Sequence, residues 1–412
     1  MIKASLINTK TIYFALVLTF ALMGFFPLIP ERYEGIVVIC FLAISIVLFL
    51  LNFKKKRVLG KDFFITSSLF ILFLISAVLS NEIGEGFKKI ATMLSLLLFP
   101  LVFFIFLGSS KLDYLKYKAV FFNVFFLSNV FFSLLSFYLF SVYSSPKFSI
   151  KDASYFRSAV SDIPLIGDHP IYISIFLSIA ILIGFTFYNF KKHLLLNILI
   201  VTGHLIIGFL LMLLMSKGVI IALMIALFVL VSKKFKKRHI IIVLGLLLML
   251  LSLIIPSANN RFRELLKNDT YNKLSSQNST NIRVNILKCS YKLIINKPIL
   301  GYGLGDVQGA LDRCYFKKNY GFKIGRYNSH NQYIFIWLST GIIGFFLFLF
   351  LIFYYCKKAW ICEDYLMLSI VIFYGIVFLF ENVLSRQSGV ILFAFLMNFL
   401  VMANSNQQSK RV

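Results

Sequence analysis

Residues 194–215 read LLLNILIVTGHLIIGFLLMLLM, Ser216-Lys217 follow, and residues 218–232 read GVIIALMIALFVLVS. A helix takes about 20 apolar residues to cross the hydrocarbon core of a bilayer. These are two such runs, the second short, parted only by Ser216-Lys217. The chain crosses, turns at once and crosses back. Lysines flank the open end of this hairpin: Lys191 and Lys192 before it, and Lys233, Lys234, Lys236, Lys237 and Arg238 after it. Short cytoplasmic loops concentrate Lys and Arg, so the open end reads as cytoplasmic and the Lys217 turn as outside.

The same pattern extends in both directions. Twelve apolar spans are expected: Thr11–Ile29, Gly35–Phe53, Phe63–Ser80, Ile90–Gly108, Ala119–Tyr143, Ile171–Phe190, Leu194–Met215, Gly218–Ser232, His239–Pro256, Tyr333–Tyr355, Tyr365–Phe380 and Gly389–Ala403. Basic groups follow the second span (Lys54 to Lys61), the fourth (Lys111, Lys116, Lys118) and the tenth (Lys357, Lys358), and close the chain at Lys410 and Arg411. With twelve spans all of them fall on one side, while Glu31, Glu34, Glu82 and Glu85 fall on the other. Both termini are then cytoplasmic. The first span is too long, and lacks the small-residue site, for a cleavable signal peptide.

Composition agrees. The chain has 412 residues, 59% apolar and 14% charged, with mean hydropathy +0.87. Soluble domains are nearer 45–50% apolar and about 25% charged. A soluble enzyme, a disordered chain and a disulfide-stapled secreted fragment are thereby excluded. The fold class is all-α, a multi-pass membrane protein with about twelve transmembrane helices. Its parts are residues 1–256, the first nine helices with an outer loop at 144–170; residues 257–332, a large outer loop of short helices between helices nine and ten; and residues 333–412, the last three helices and a short tail. No repeat of fixed period is visible, which weighs against an inverted-repeat transporter. Five cysteines form no C-x-x-C pair. Cys289 and Cys314 would both face an oxidising compartment and could pair.

The net charge of +26 suits nucleic acid in a soluble protein, but here loop anchoring comes first. Residues 257–332 still hold 13 Lys and Arg against 4 Asp and Glu. Long outer loops are exempt from the insertion rule, and an anionic substrate is the simplest cause. The candidate side chains are Arg157 and His169 in the first outer loop, Lys217 in the hairpin turn, Arg283 in the large loop, and His330 within Asn328-Ser329-His330-Asn331. Glu381 and Arg386 share the last outer turn. Gly301 and Gly303, in a Gly-x-Gly-x-Gly turn, could let backbone N–H groups approach a phosphate. Each has a blander reading: solvated loop charges, a snorkelling lysine, a helix-capping His–amide cluster, a local ion pair. The shared side is what singles them out. Arg offers phosphate a bidentate fork, fixed cations stabilise a leaving pyrophosphate, and His suits general base work near neutral pH. The outer acids are few and scattered, so a metal-free site is expected.

Arg283…Pro298-x-x-Gly301-x-Gly303, Asn328-x-His330-Asn331-x-Tyr333 and Gly341-x-x-Gly344 together resemble the O-antigen ligase and O-antigen polymerase superfamily. Glu381-x-x-Leu384-x-Arg386-Gln387-x-Gly389 resembles its C-terminal pattern. The resemblance implies a metal-independent, inverting glycosyltransferase of the bacterial inner membrane with a periplasmic site and no cofactor. Its donor would be a glycan on undecaprenyl pyrophosphate. Its acceptor would be a lipid A–core sugar in a ligase, or the next carrier-linked repeat unit in a polymerase. His330 would be the base or aligner of the acceptor hydroxyl, and Arg283 would hold the donor pyrophosphate. Lys217, Arg386, Arg157, His169, Asn328, Asn331, Glu381, Gly301 and Gly303 would line the substrate. Where relatives have Ser-Arg-Gly this chain has Ser216-Lys217-Gly218, which keeps the charge but loses the fork. Leu287 stands where a Trp is frequent. Membrane lipids are expected partners and nucleic acid is not. A transporter of lipid-linked sugar would need ionisable groups near mid-bilayer, and spans one to six carry charge only at their ends. A structural scaffold would not require a basic outer loop.

Overall fold

The computed structural model describes residues 9–51, 60–108, 112–143, 156–157, 160, 168–187, 194–234, 279–318 and 327–411. Among the described residues the chain is helical, with no strand. In order the helices are α1 (Thr9–Gly24), α2 (Glu31–Leu51), α3 (Lys61–Val78), α4 (Ile83–Met93), α5 (Ser95–Pro100), α6 (Tyr114–Tyr143), α7 (Pro170–Gly184), α8 (Leu194–Leu214), α9 (Lys217–Lys234), α10 (Ser279–Asn296), α11 (Val307–Lys317), α12 (Gln332–Ile361), α13 (Tyr365–Val377) and α14 (Gln387–Arg411).

Six of them are long and apolar enough to cross a membrane, or 7 if α4 and α5 form one bent span. Shorter apolar helices lie within α1, α7, α9 and α13. Every expected span inside the described residues overlaps a helix. The expected ninth span, His239–Pro256, lies outside them, as does most of the 144–170 loop. The fourth span departs from expectation. It begins at Ile83 rather than Ile90 and bends by 44° between Met93 and Ser95. Lys88 and Lys89 interrupt the apolar run, so an amphipathic α4 reads as loop. Lys88 pairs with Glu85 at 2.6 Å, and Lys89 donates to the Leu304 carbonyl at 2.8 Å. Beyond Pro100, which has no N–H to give, the helix loosens into a π-helical turn at Leu101–Phe106.

The core sits around α14, whose residues 388–404 are buried throughout. Phe395 and Phe399 are the centre of an aromatic stack. Phe121 lies 4.8 Å from Phe395, Phe99 5.5 Å, and Phe20 4.9 Å from Phe399. Between helices in lipid, close van der Waals packing does the work that water exclusion does elsewhere. Outward-facing Phe14, Leu50, Phe64, Leu127 and Phe131 are exposed, a surface suited to lipid and to no aqueous solvent. At the basic-loop end, Asp62 at the start of α3 accepts from Tyr354 Oη at 2.7 Å and from Lys358 at 3.1 Å on α12.

At the opposite end the chain between α10 and α11 wedges into a break in α12. Gly341 has φ +71°, and a Cβ there would fall 1.8 Å from the Ile299 carbonyl oxygen. Only glycine fits. The Pro298 carbonyl accepts from Ile342 N and Trp337 Nε1, both at 3.0 Å. Asp306 accepts from the Asn81 and Glu82 N–H groups at 2.8 and 3.0 Å, locking the wedge to the α3–α4 turn. Cys289 and Cys314 are bonded, Cα to Cα 5.9 Å, and join α10 to α11.

Candidate functional site

His330 precedes α12, and the turn that carries it is stitched to the turn after α13. Asn328 Oδ1 accepts from His330 N at 2.9 Å. Asn331 caps α12 by accepting from Ile334 N at 3.0 Å and donates to the Leu379 carbonyl at 3.1 Å. Ser329 and Asn382 exchange side-chain hydrogen bonds of 3.0 and 3.1 Å. Gln332 donates its N–H to Phe378 O at 2.8 Å, and its Oε1 accepts from Leu384 N at 2.9 Å. These contacts hold His330 at φ +44°, a backbone state that a non-glycine residue keeps only under constraint.

That constraint aims the ring at Glu381. His330 Nδ1 lies 3.3 Å from the Glu381 carboxylate, and Arg283 Nη2 lies 3.7 Å from Glu381 Oε2. Only 7% of the Glu381 side chain is exposed. Burial pushes its carboxyl up, but the His330 hydrogen bond and the charges of His330 and Arg283 outweigh burial and hold it below the usual range. Arg283 comes from the first turns of α10, partly exposed, and lines the cleft beside Glu381.

The hairpin turn of α8 and α9 closes the opposite side. Met215 is held at φ +49°. The Arg157 guanidinium donates to the Leu214 carbonyl and, at 3.1 Å, to Ser216 Oγ. Ser174 on α7 bonds the same hydroxyl at 2.8 Å. Arg157 thus braces the Lys217 turn from a different segment. Gly218 lets the start of α9 lie against the turn after α13, since a Cβ there would meet the Phe380 ring at 2.7 Å.

Between these parts is a cleft of about 370 Å³ lined by Arg157, Lys217, Arg283, His330 and Glu381. Exposed apolar Ile221, Leu287 and Leu379 form part of its remaining wall, alongside Ser216, Thr280 and Ser329. Of the three non-glycine residues with positive φ among the described residues, Met215 and His330 both line this cleft; Glu363 is the third.

The other expected site residues sit around the cleft or away from it. Arg386 pairs with Asp168 at 3.7 Å and stands 5.4 Å over the Tyr172 ring. His169 caps α7, its Nδ1 accepting from Ile171 N at 3.4 Å. Burial above all, helped by Arg386, pushes this imidazole down to about 4, so it is neutral at pH 7. Gly301 and Gly303 have φ +69° and +96°, but they belong to the wedge under α12. The N–H groups of Tyr302, Gly303, Leu304 and Gly305 are all committed, to Leu338 O, Ser339 O, Ser76 Oγ and Ser80 Oγ. That run of donors has nothing left for a phosphate. Sequence reasoning missed Ser216, Ser329 and Asn382, whose roles depend on contacts between distant segments. Among the described residues no group of three or more His, Cys, Asp or Glu gathers.

Fold and site together define a multi-pass membrane protein with a cation- and imidazole-lined cleft at the end of the bundle away from its basic short loops. Residues 202–349 match the family model described as O-antigen ligase. The matched span runs from α8 through the first half of α12. It holds Lys217, Arg283 and His330, while Arg157, Glu381 and Arg386 reach the region from outside it. No curated protein matches the chain.

Proposed function

We propose that this protein is an O-antigen ligase-type glycosyltransferase of the bacterial inner membrane. It moves a glycan from undecaprenyl pyrophosphate to a lipid A–core hydroxyl, with the cleft open to the periplasm and both termini cytoplasmic. One observation carries the reading. Arg283 and His330, from separate segments, share Glu381 at a cleft that also presents exposed apolar Ile221, Leu287 and Leu379. A lipid-borne pyrophosphate sugar needs both surfaces at once. The bonded pair Cys289–Cys314 supports the orientation, since disulfides persist in oxidising compartments.

The chemistry follows from the geometry. Glu381 takes the Nδ1 side of His330, which leaves Nε2 to accept the acceptor hydroxyl's proton. The freed oxygen attacks the anomeric carbon. The bond from that carbon to the pyrophosphate oxygen breaks, and the electron pair leaves on the lipid pyrophosphate. Attack opposite the leaving group inverts the anomeric centre. Arg283 and Lys217 stabilise the charge that builds on the leaving group. Asn328 and Asn331 act through the backbone, holding His330 rather than touching substrate, and Arg386 with Asp168 and His169 shapes the rim.

Deleting the gene tests the reading. Loss of a ligase leaves bare lipid A–core with long polymers stranded on the carrier. Core bearing a single repeat would instead identify a polymerase, which needs the same cleft and a different acceptor. Turnover of the purified protein should be unaffected by a chelator.

A further inference from the structure

A second cleft lies farther along α10, between it and α11. It encloses about 310 Å³ and is lined by Lys292, Asn296, Tyr302, Arg313, Lys317 and Lys318. Its lining includes no carboxylate, and among the described residues none of its four cations forms an ion pair. The cleft is pre-shaped. The Cys289–Cys314 bond fastens its two helices, with Cys314 in its wall. Tyr302 Oη donates to the Leu293 carbonyl at 3.2 Å, and Lys297 stands 5.0 Å over the Tyr302 ring.

The outer face of the same helix adds an independent observation. Leu287, Tyr291 and Ile295 recur every fourth residue and are 41%, 68% and 58% exposed. This is one apolar stripe along α10, extended past its end by exposed Ile299 and Leu300. The buried face of α10 is a different one, Ile286, Cys289 and Leu293. A helix with a bare apolar stripe beside lysines fits the boundary between headgroups and acyl chains.

We propose that this cleft is a second anion site, one that seats a phosphate ester carried on a membrane lipid while the Leu287–Leu300 stripe lies against its acyl chains. Charge complementarity selects the occupant: four cations with no ion partner among the described residues, beside an apolar stripe, match an anionic headgroup on a hydrocarbon tail, and match a soluble anion only in part. Lys292 is nine residues beyond Arg283 on α10, about 14 Å at 1.5 Å per residue. A lipid seated there holds its headgroup within reach of the first cleft. On the reading given above, that lipid is the phosphorylated acceptor.

The test is binding by the full-length protein, read by native mass spectrometry without any transfer reaction. The probes are phosphatidylglycerol, phosphatidylcholine and inorganic phosphate. The wild type should retain phosphatidylglycerol at least tenfold more tightly than phosphatidylcholine. Lys292→Gln/Arg313→Gln/Lys317→Gln should abolish the difference, while Lys88→Gln, on an exposed lysine elsewhere, keeps it. Tyr291→Ser/Ile295→Ser should weaken phosphatidylglycerol without changing phosphate. Equal retention of the two lipids, or a triple variant that binds like the wild type, overturns the site. Phosphate binding as tightly as phosphatidylglycerol overturns the lipid as its occupant. His330→Ala should bind phosphatidylglycerol normally, so a failed transferase reading and a failed lipid site give different results.

Discussion

His330 and Glu381 meet at 3.3 Å across 51 residues of chain, and the contact exists because two turns are sewn together by Ser329, Asn331, Gln332 and Asn382. The imidazole is thereby fixed in a left-handed backbone state, and Arg283 is drawn to the same carboxylate. The imidazole and the guanidinium proposed above as base and phosphate ligand are linked through one buried carboxylate.

Glu381→Gln keeps the size of that side chain and removes its charge. Turnover should fall by about 10²-fold, within the usual range for a disturbed acid–base group, with KM for the donor changing far less. Glu381→Asp should restore part of it. Steady-state kinetics of both variants check the split; an unchanged kcat in Glu381→Gln would remove Glu381 from the mechanism.

Arg283 and Lys217 are not equivalent cations. Arg283→Lys loses a fork that can engage two phosphate oxygens, whereas Lys217→Arg adds one to a turn already braced by Arg157. Transfer should drop by about tenfold or more in the first and stay near wild type in the second. The reverse order would place the pyrophosphate on the hairpin turn instead.

His169 is neutral in the folded protein until the pH approaches about 4, against about 6.5 for an unfolded histidine. Its folded value is depressed, so the unfolded chain takes up a proton first as the pH falls below 6.5. The associated stability is complete above that pH and is lost down to about 4. Thermal unfolding midpoints should decline across this window, and His169→Asn, which can still cap α7, should flatten the decline. An unchanged slope in the variant would contradict this.

Gly341→Ala puts a methyl group into the Ile299 carbonyl and forces φ +71° on a residue that resists it. The loss should be on the order of 2 kcal/mol or more, because the clash is with backbone. Comparison of unfolding midpoints in one detergent measures it, and a wild-type midpoint would show that the α12 break does not depend on glycine.

Much of this was legible in the chain. Long apolar runs and lysine-rich short loops mark the spans directly, and Arg283, Lys217 and His330 stand out as polar groups gathered on one side. What sequence hides is whatever depends on contact between segments. Lys88 and Lys89 disguise α4 as loop because their charges break an apolar run, although an amphipathic helix tolerates them. The Gly301–Gly305 turn looks like a phosphate cradle from its glycines alone; the structure spends those glycines on close packing under α12. The amides flanking His330 read as substrate ligands, yet Asn331 caps and clamps, and only the fold reveals its partner at Leu379.

The most direct test of the central claim is glycan transfer by the purified protein in proteoliposomes, comparing wild type with His330→Ala and Arg283→Ala after confirming insertion of each. The two variants should insert normally and transfer at least about 10²-fold more slowly. Transfer by both at the wild-type rate would mean that the imidazole and guanidinium sharing Glu381 are not where the reaction happens.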